Sequence, residues 1–188
     1  MSHLPIATVT GLILAGGAGK RMGGVDKGWV CHQGVPMIEA ALARLTPQVG
    51  SILISANRSL ERYAALGHPV VQDNSSDFQG PLAGILAGLS ACQTPWLQVI
   101  PCDTPAFPSD LVQQLLAAVR HQACTPVVRG REQWTFTLLH RDCLLPLQQQ
   151  FDQGVRTLGK ALSALQLDLL PIEAENRQDF ININTLAE

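Results

Sequence analysis

The chain has 188 residues, a formal net charge of −2, 46% apolar residues and 15% charged ones. That length suits one domain with a full core, and the balance excludes both a disordered chain and the wide basic face that nucleic-acid binding needs. No apolar run is long enough for a bilayer, and Met1-Ser2-His3-Leu4-Pro5 lacks the layout of a signal peptide. Five scattered cysteines, Cys31, Cys92, Cys102, Cys124 and Cys143, form no Cys-x-x-Cys pair. They argue against a disulfide framework or a zinc site, and for the cytoplasm.

Apolar β-type runs alternate with helical patterns. Val9 to Leu14 reads as a first strand buried on both faces, and Pro36 opens a helix with Met37, Ile38, Ala41, Leu42 and Leu45 on one side. Ser51 to Ser55 is a second strand, Ser59 to Leu66 a short helix, and Pro69 to Gln72 a short third strand. Pro81 stands at the first turn of a helix with a core stripe of Leu82, Ile85, Leu86 and Leu89. Trp96 to Ile100 is the next strand, and Ser109 is the expected cap of a helix that buries Leu111, Val112, Leu115, Leu116 and Val119. Beyond Thr125 the pattern predicts strands at Val127-Val128, Trp134 to Leu139 and Asp168 to Ile172. Helices are expected at Asp142 to Gln150 and Val155 to Leu165. Such alternation predicts a mostly parallel sheet covered by helices, with ligands at the carboxyl ends of the strands. The glycine turn after Leu14, then Ser55, Asp73 and Asp103, should therefore gather on one edge. No domain boundary is evident. Residues 1–188 read as one unit, nucleotide-binding to about residue 105 and acceptor-binding beyond.

The densest chemistry lies in Leu14-Ala15-Gly16-Gly17-Ala18-Gly19-Lys20-Arg21-Met22-Gly23-Gly24-Val25-Asp26-Lys27. Glycine backbone lets several amides converge on one anion, and Lys20, Arg21 and Lys27 neutralise what the amides orient. A Walker loop is excluded, because Leu14 stands at its first glycine and Arg21 at its hydroxyl position. A dinucleotide fingerprint fails at Met22, its third glycine. The pattern Leu-Ala-Gly-Gly-x-x-x-Arg-Met-Gly-x-x-Asp-Lys fits throughout and resembles the signature of nucleotidyltransferases that release pyrophosphate.

Asp103, between Cys102 and Thr104-Pro105 at a strand end, suits Mg²⁺ held against a triphosphate; the plainer reading is an Asp that caps the next turn. Phe180-Ile181-Asn182-Ile183-Asn184-Thr185 alternates. If it is extended, Asn182 and Asn184 share a face, either as metal or phosphate ligands or as the polar side of an edge strand. Gly80 and Gly84 bracket a helix start whose free amides favour acceptors; Gly84 and Gly88 on one face permit close approach. Arg156 alone reads as a surface residue or as a grip on a second substrate's phosphate. Cys102 has no neighbouring base and reads as packing.

Together these motifs resemble the molybdenum cofactor guanylyltransferases, most specifically at Leu14 to Lys27, Gly80 to Ile85, Pro101 to Pro105 and Asn182 to Thr185. The resemblance implies a three-layer α/β/α, Rossmann-like fold of the nucleotide-diphospho-sugar transferase type. It implies transfer of GMP from GTP to the terminal phosphate of molybdopterin, with Mg²⁺ as cofactor. It also implies transient contacts with other cofactor-biosynthesis proteins, and neither nucleic acid nor membrane as partner. Leu14, Ala15, Gly16 and Gly17 would meet the nucleotide, and Arg21 and Lys27 the triphosphate. Ser55, Asp73, Gly80 and Gly84 would surround guanosine, Asp103 would bind Mg²⁺, and Arg156, Asn182 and Asn184 would face molybdopterin. Ser55 stands where family members can carry Asn, with Asn57 as a substitute, and Gln133-Trp134 stands where His-Pro is often seen. Rival readings are transfer to another phosphorylated acceptor, of cytidylyl or sugar-phosphate type, a non-catalytic GTP-binding protein, and, more distantly, a dinucleotide-dependent oxidoreductase.

Overall fold

The computed structural model describes residues 5–15, 26–73, 80–173 and 180–183. Among them the chain runs β1 (Val9–Leu14), β2 (Cys31–His32), β3 (Val35–Pro36), α1 (Met37–Leu45), β4 (Ser51–Ser55), α2 (Leu60–Ala64), β5 (Val70–Val71) and α3 (Pro81–Ala91). It continues through β6 (Trp96–Pro101), α4 (Leu111–Ala118), β7 (Ala123–Val128), β8 (Arg131–Glu132), β9 (Leu138–His140), α5 (Leu144–Asp152), α6 (Leu158–Leu162) and β10 (Leu167–Pro171). The main sheet has the order β10-β7-β9-β6-β1-β4-β5, with β8 on β7, and β2 and β3 form a separate ribbon. Strands β6, β1, β4 and β5 are mutually parallel. β9 is inserted antiparallel between β6 and β7, and β10 lies parallel to β7.

Strand alternation sorts the core into two layers. Val9 and Ile13 of β1, with Ile52 and Ile54 of β4, face one side, where Ile38 and Leu45 of α1 and Leu111 and Leu115 of α4 cover them. Leu12, Leu53, Leu97 and Val99 face the other side, under Leu82, Ile85 and Leu89 of α3 and Leu147 and Leu162 of α5 and α6. The result is the three-layer α/β/α sandwich with a mostly parallel sheet. Helix α3 sits close to the sheet because it lacks two side chains: Leu12 fills the space beside Gly88, and a Cβ on Gly84 would lie 2.6 Å from Ser55 Oγ.

Several local expectations change. Val119 falls just past the end of α4, where the helix gives way to extended backbone, and is only half-buried. Ser109 is not the cap of α4. Asp110 holds that position without a side-chain cap bond, and its carboxylate instead accepts from Gln114 Nε2 at 2.9 Å. The run Trp134 to Leu139 is a strand only from Leu138. Trp134–Phe136 is a 3₁₀ turn, in which Phe136 N donates to Gln133 O at 2.8 Å and Thr137 Oγ1 to Trp134 O at 2.9 Å. A hydroxyl that bonds its own turn competes with the strand ladder. The helical pattern from Val155 narrows to Leu158–Leu162, since Val155 N still donates to Gln150 O at the end of α5 beyond a left-handed Gly154.

Candidate active site

The register of the sheet builds the site. Leu14 lies opposite Ser55 on one side and Pro101 on the other, and Ser55 lies opposite Val71. Four parallel strands therefore end at one level. Backbone bonds extend the alignment by a residue: Ala15 N donates to Ser55 O at 2.9 Å, Cys102 N to Leu14 O at 3.1 Å, and Ala56 N to Val71 O at 3.0 Å. Whatever follows each strand must share that rim, as in other open α/β sheets.

The rim holds a cleft of about 300 Å³, lined by Leu14, Ala15, Lys27, Ser55, Asp73, Gly80, Gly84 and Asp103 from the predicted set. Lys27 Nζ donates to Asp103 Oδ2 at 2.8 Å, across 76 positions of chain, and both side chains are partly buried. A Lys–carboxylate pair at a strand-end cleft concentrates mobile charge of both signs where a polyanion could enter. The hydroxyl of Thr104 reaches Asp103 Oδ1 at 3.4 Å. Ser55 is buried beneath Gly84, so the smallest possible residue in α3 sets the depth of this wall. Asn57 lies outside the lining and fixes Asp73 instead: its Oδ1 accepts from Asp73 N at 3.1 Å. Gly80 has φ of +86°, a conformation that suits glycine, and puts Pro81 at the first position of α3.

The second half of the chain closes the cleft with Asn182 and Thr135. Asn182 arrives because residues 180–183 run against residues 103–106, with Phe180 N donating to Ala106 O at 3.0 Å and Ile183 N to Asp103 O at 2.8 Å. Thr135 was not singled out from the sequence. It reaches the cleft on the 3₁₀ turn, whose end is held by buried Gln98, with Nε2 donating to Phe136 O at 2.8 Å. Its only sequence signal was its place beside Gln133-Trp134, the departure from the family pattern. Arg156 does not line the cleft. Its guanidinium lies over the Phe151 ring, 3.9 Å from the centroid, and donates to the carbonyls of Phe151 and Val155. Its own carbonyl sits 3.8 Å from where a Gly80 side chain would begin, so it borders the rim through backbone. Gly16, Gly17, Lys20, Arg21 and Asn184 lie outside the described residues.

Cys102, beside Asp103, is buried, and burial followed by the neighbouring carboxylates pushes its thiol well above the usual cysteine range. It stays protonated and acts as packing. Among the described residues no three His, Cys, Asp or Glu side chains converge. The Asp103 carboxylate with the Thr104 hydroxyl beside it suits Mg²⁺, which takes one or two protein carboxylates and completes its shell with phosphate and water. Also among the described residues, no helix is long and apolar enough to cross a membrane.

Residues 11–167 match the family model described as a MobA-like NTP transferase domain. The molybdenum cofactor guanylyltransferase of Ralstonia nicotianae is 44% identical over 98% of this chain and 96% of its own length. That of Bordetella petrii is 43% identical over 96% and 94%. Among solved structures, the molybdopterin-guanine dinucleotide biosynthesis protein A of Archaeoglobus fulgidus superposes with a TM-score of 0.69 at 21% identity, covering 86% of this chain and 83% of its own. The 4-diphosphocytidyl-2C-methyl-D-erythritol synthase of Anaerococcus prevotii gives 0.74 at 10% identity over 96% and 92%. At such identities the structures speak for the nucleotidyltransferase fold, while the sequence relatives, aligned along nearly the whole chain, speak for the family: this chain belongs to the molybdenum cofactor guanylyltransferases, within the MobA-like NTP transferases.

Proposed function

We propose that the protein transfers GMP from GTP to the terminal phosphate of molybdopterin, forming molybdopterin guanine dinucleotide and pyrophosphate. The observation that carries this reading, beside the family, is the Lys27–Asp103 pair at 2.8 Å within the cleft of Leu14, Ser55 and Gly84. In the reaction an oxygen of the acceptor phosphate bonds to the α-phosphorus of GTP. The bond to the β-phosphate oxygen breaks, and pyrophosphate leaves with the electron pair. The attacking phosphate is already anionic near neutral pH and needs no general base to take a proton from it.

The chief obstacle is repulsion. One pair of unit charges at ~4 Å in an effective dielectric of ~20 repels by about 4 kcal/mol. Lys27 offsets this on the triphosphate side, joined by Arg21 and the amides of Gly16 and Gly17 in the same motif. Ser55, Asp73, Gly80 and Gly84 form the nucleoside wall, and Asn182, with Asn184, serves the acceptor side, while Arg156 borders it only through its backbone. Asp103 would hold Mg²⁺, which when bound neutralises the triphosphate and eases departure of pyrophosphate. The reading puts the enzyme in the cytoplasm, where its cysteines remain thiols. The test is pyrophosphate release from GTP, CTP and UTP, each with molybdopterin or a sugar phosphate, with and without Mg²⁺. Release confined to GTP with molybdopterin and Mg²⁺ is expected. Equal release from CTP, or from GTP with the sugar phosphate instead, would overturn the assignment.

A further inference from the structure

Behind the cleft, the turn that carries Lys27 is braced from an element that does not line the site. Lys27–Trp29 is a single 3₁₀ turn preceded by Asp26, whose Oδ1 accepts from Gly28 N at 3.3 Å. The same Oδ1 accepts from the hydroxyl of Tyr63, at 2.6 Å. Tyr63 belongs to α2 and is fully buried. The fit leaves no slack: a Cβ on Gly28 would overlap the Tyr63 hydroxyl. On the same side the Trp29 ring packs on Tyr63, centroids 5.1 Å apart, and the Arg62 guanidinium covers Trp29 at 3.8 Å.

We propose that Tyr63 is a positioning residue for guanylyl transfer: its hydroxyl locks the Asp26 carboxylate, and so fixes the turn from which Lys27 reaches Asp103. The inference rests on the functional reading above. A short hydrogen bond to an ionised acceptor is stronger than a neutral one and is directional, so it fixes the rotation of Asp26 as well as its position. Burial, then the bond to Asp26, pushes the Tyr63 hydroxyl far above the usual phenol range, so it remains a donor at any working pH. A Lys on a one-turn helix has no long element to orient it, and a small misplacement of a charged group costs rate steeply. Since Lys27 meets charge that grows on the leaving pyrophosphate, its misplacement lowers kcat more than it raises the KM for GTP.

The experiment is a cycle of Tyr63→Phe, Lys27→Ala and the double variant, with thermal unfolding of each as a control. Tyr63→Phe is expected to lower kcat about ten-fold, with the KM for GTP within about two-fold, by loss of one hydrogen bond to a charged group. In the Lys27→Ala background the same change should cost less than about two-fold, because there is no ammonium left to position. Equal losses in both backgrounds, or no loss in the first, would overturn the proposal. Asp26→Asn, which keeps an oxygen acceptor without the charge, should give an intermediate loss and serves if Tyr63→Phe folds poorly. A crystal structure of Tyr63→Phe without ligand gives a readout apart from turnover. Displacement of Lys27 Nζ from Asp103 supports the proposal, and an unchanged 2.8 Å contact refutes it. If the wild type makes no product from GTP, the guanylyl reading fails while this structural comparison still decides the role of Tyr63.

Discussion

From β5 across to β6 the strands are parallel, and each supplies its cleft residue directly from its end: Asp73, Ser55, Leu14 and Asp103. From β9 outwards the sheet is mixed, and among the described residues the cleft is reached otherwise than by strand ends; Thr135 comes on a turn and Asn182 on a segment laid along residues 103–106. The first region shows how parallel register converts sequence position into a shared rim. The second shows a wall assembled by docking, whose geometry depends on contacts far apart in the chain. A residue at the end of β1 or β4 is held on two sides by neighbouring strands, whereas a docked one is held by a few bonds. Changes on the first side should therefore strike chemistry, and changes on the second should strike packing and selectivity.

The largest effect expected is at Asp103. Asp103→Ala should abolish turnover at saturating Mg²⁺ while GTP binding, followed by calorimetry, falls less. Lys27→Ala should slow turnover by about 10²-fold with little change in Tm, as expected when a preorganised charge at the reacting group is lost. Wild-type rates in either variant would remove the rim from the mechanism.

The rim was legible because a buried strand, a glycine turn and an isolated Asp after another buried strand are patterns of neighbouring residues. Val9 to Leu14 and Trp96 to Ile100 read as strands from their own side chains, and parallel pairing then forces Lys27 and Asp103 towards one edge. Thr135 was not legible. Its place depends on the bond between Gln98 and Phe136 O and on the indole of Trp134 seated against Gly159, where a Cβ would stand 2.9 Å from Nε1. These are contacts between residues 25 to 38 positions apart, and nothing in local periodicity encodes them. The role of Asn57 was half legible: the residue was marked, but its side chain serves Asp73 N rather than the cleft. Ser109 misled because its hydroxyl suits a cap by type, while the chain starts the helix one residue later.

A smaller effect sharpens the contrast where Gly84 meets Ser55 in the cleft wall. Gly84→Ala gains about 1 kcal/mol of helix propensity but drives a Cβ into Ser55 Oγ, an overlap worth about 1–3 kcal/mol. The variant should unfold at lower urea and bind GTP more weakly. In a Ser55→Ala background the urea midpoint should recover, and if it does not, the two side chains are not in the contact described.

The smallest effect lies away from the cleft. Asp168 accepts from Arg120 N at 2.6 Å and from His121 N and Nδ1, both at 2.9 Å, joining β10 to the end of α4. Burial alone would raise this carboxyl; the two backbone donors and His121 outweigh it and hold it below the usual carboxylate range. Its ionised form is thus favoured by folding, and the stabilisation is complete above the ordinary carboxyl value. It fades as pH falls through the lower native one. Asp168→Asn should lower Tm near neutral pH, and the gap from wild type should close in strong acid. A gap that stays constant would show that the charge contributes nothing.

The bond from Ile183 N to Asp103 O ties an early loop to residues made eighty positions later. During synthesis the parallel strands can pair as soon as Pro101 has emerged, and β10 can join once Pro171 is out. The recess beside Asp103 nonetheless lacks its Asn182 side until residues 180–183 have emerged. A chain released only as far as Pro171 would therefore carry every strand of the sheet while one side of the cleft is still open.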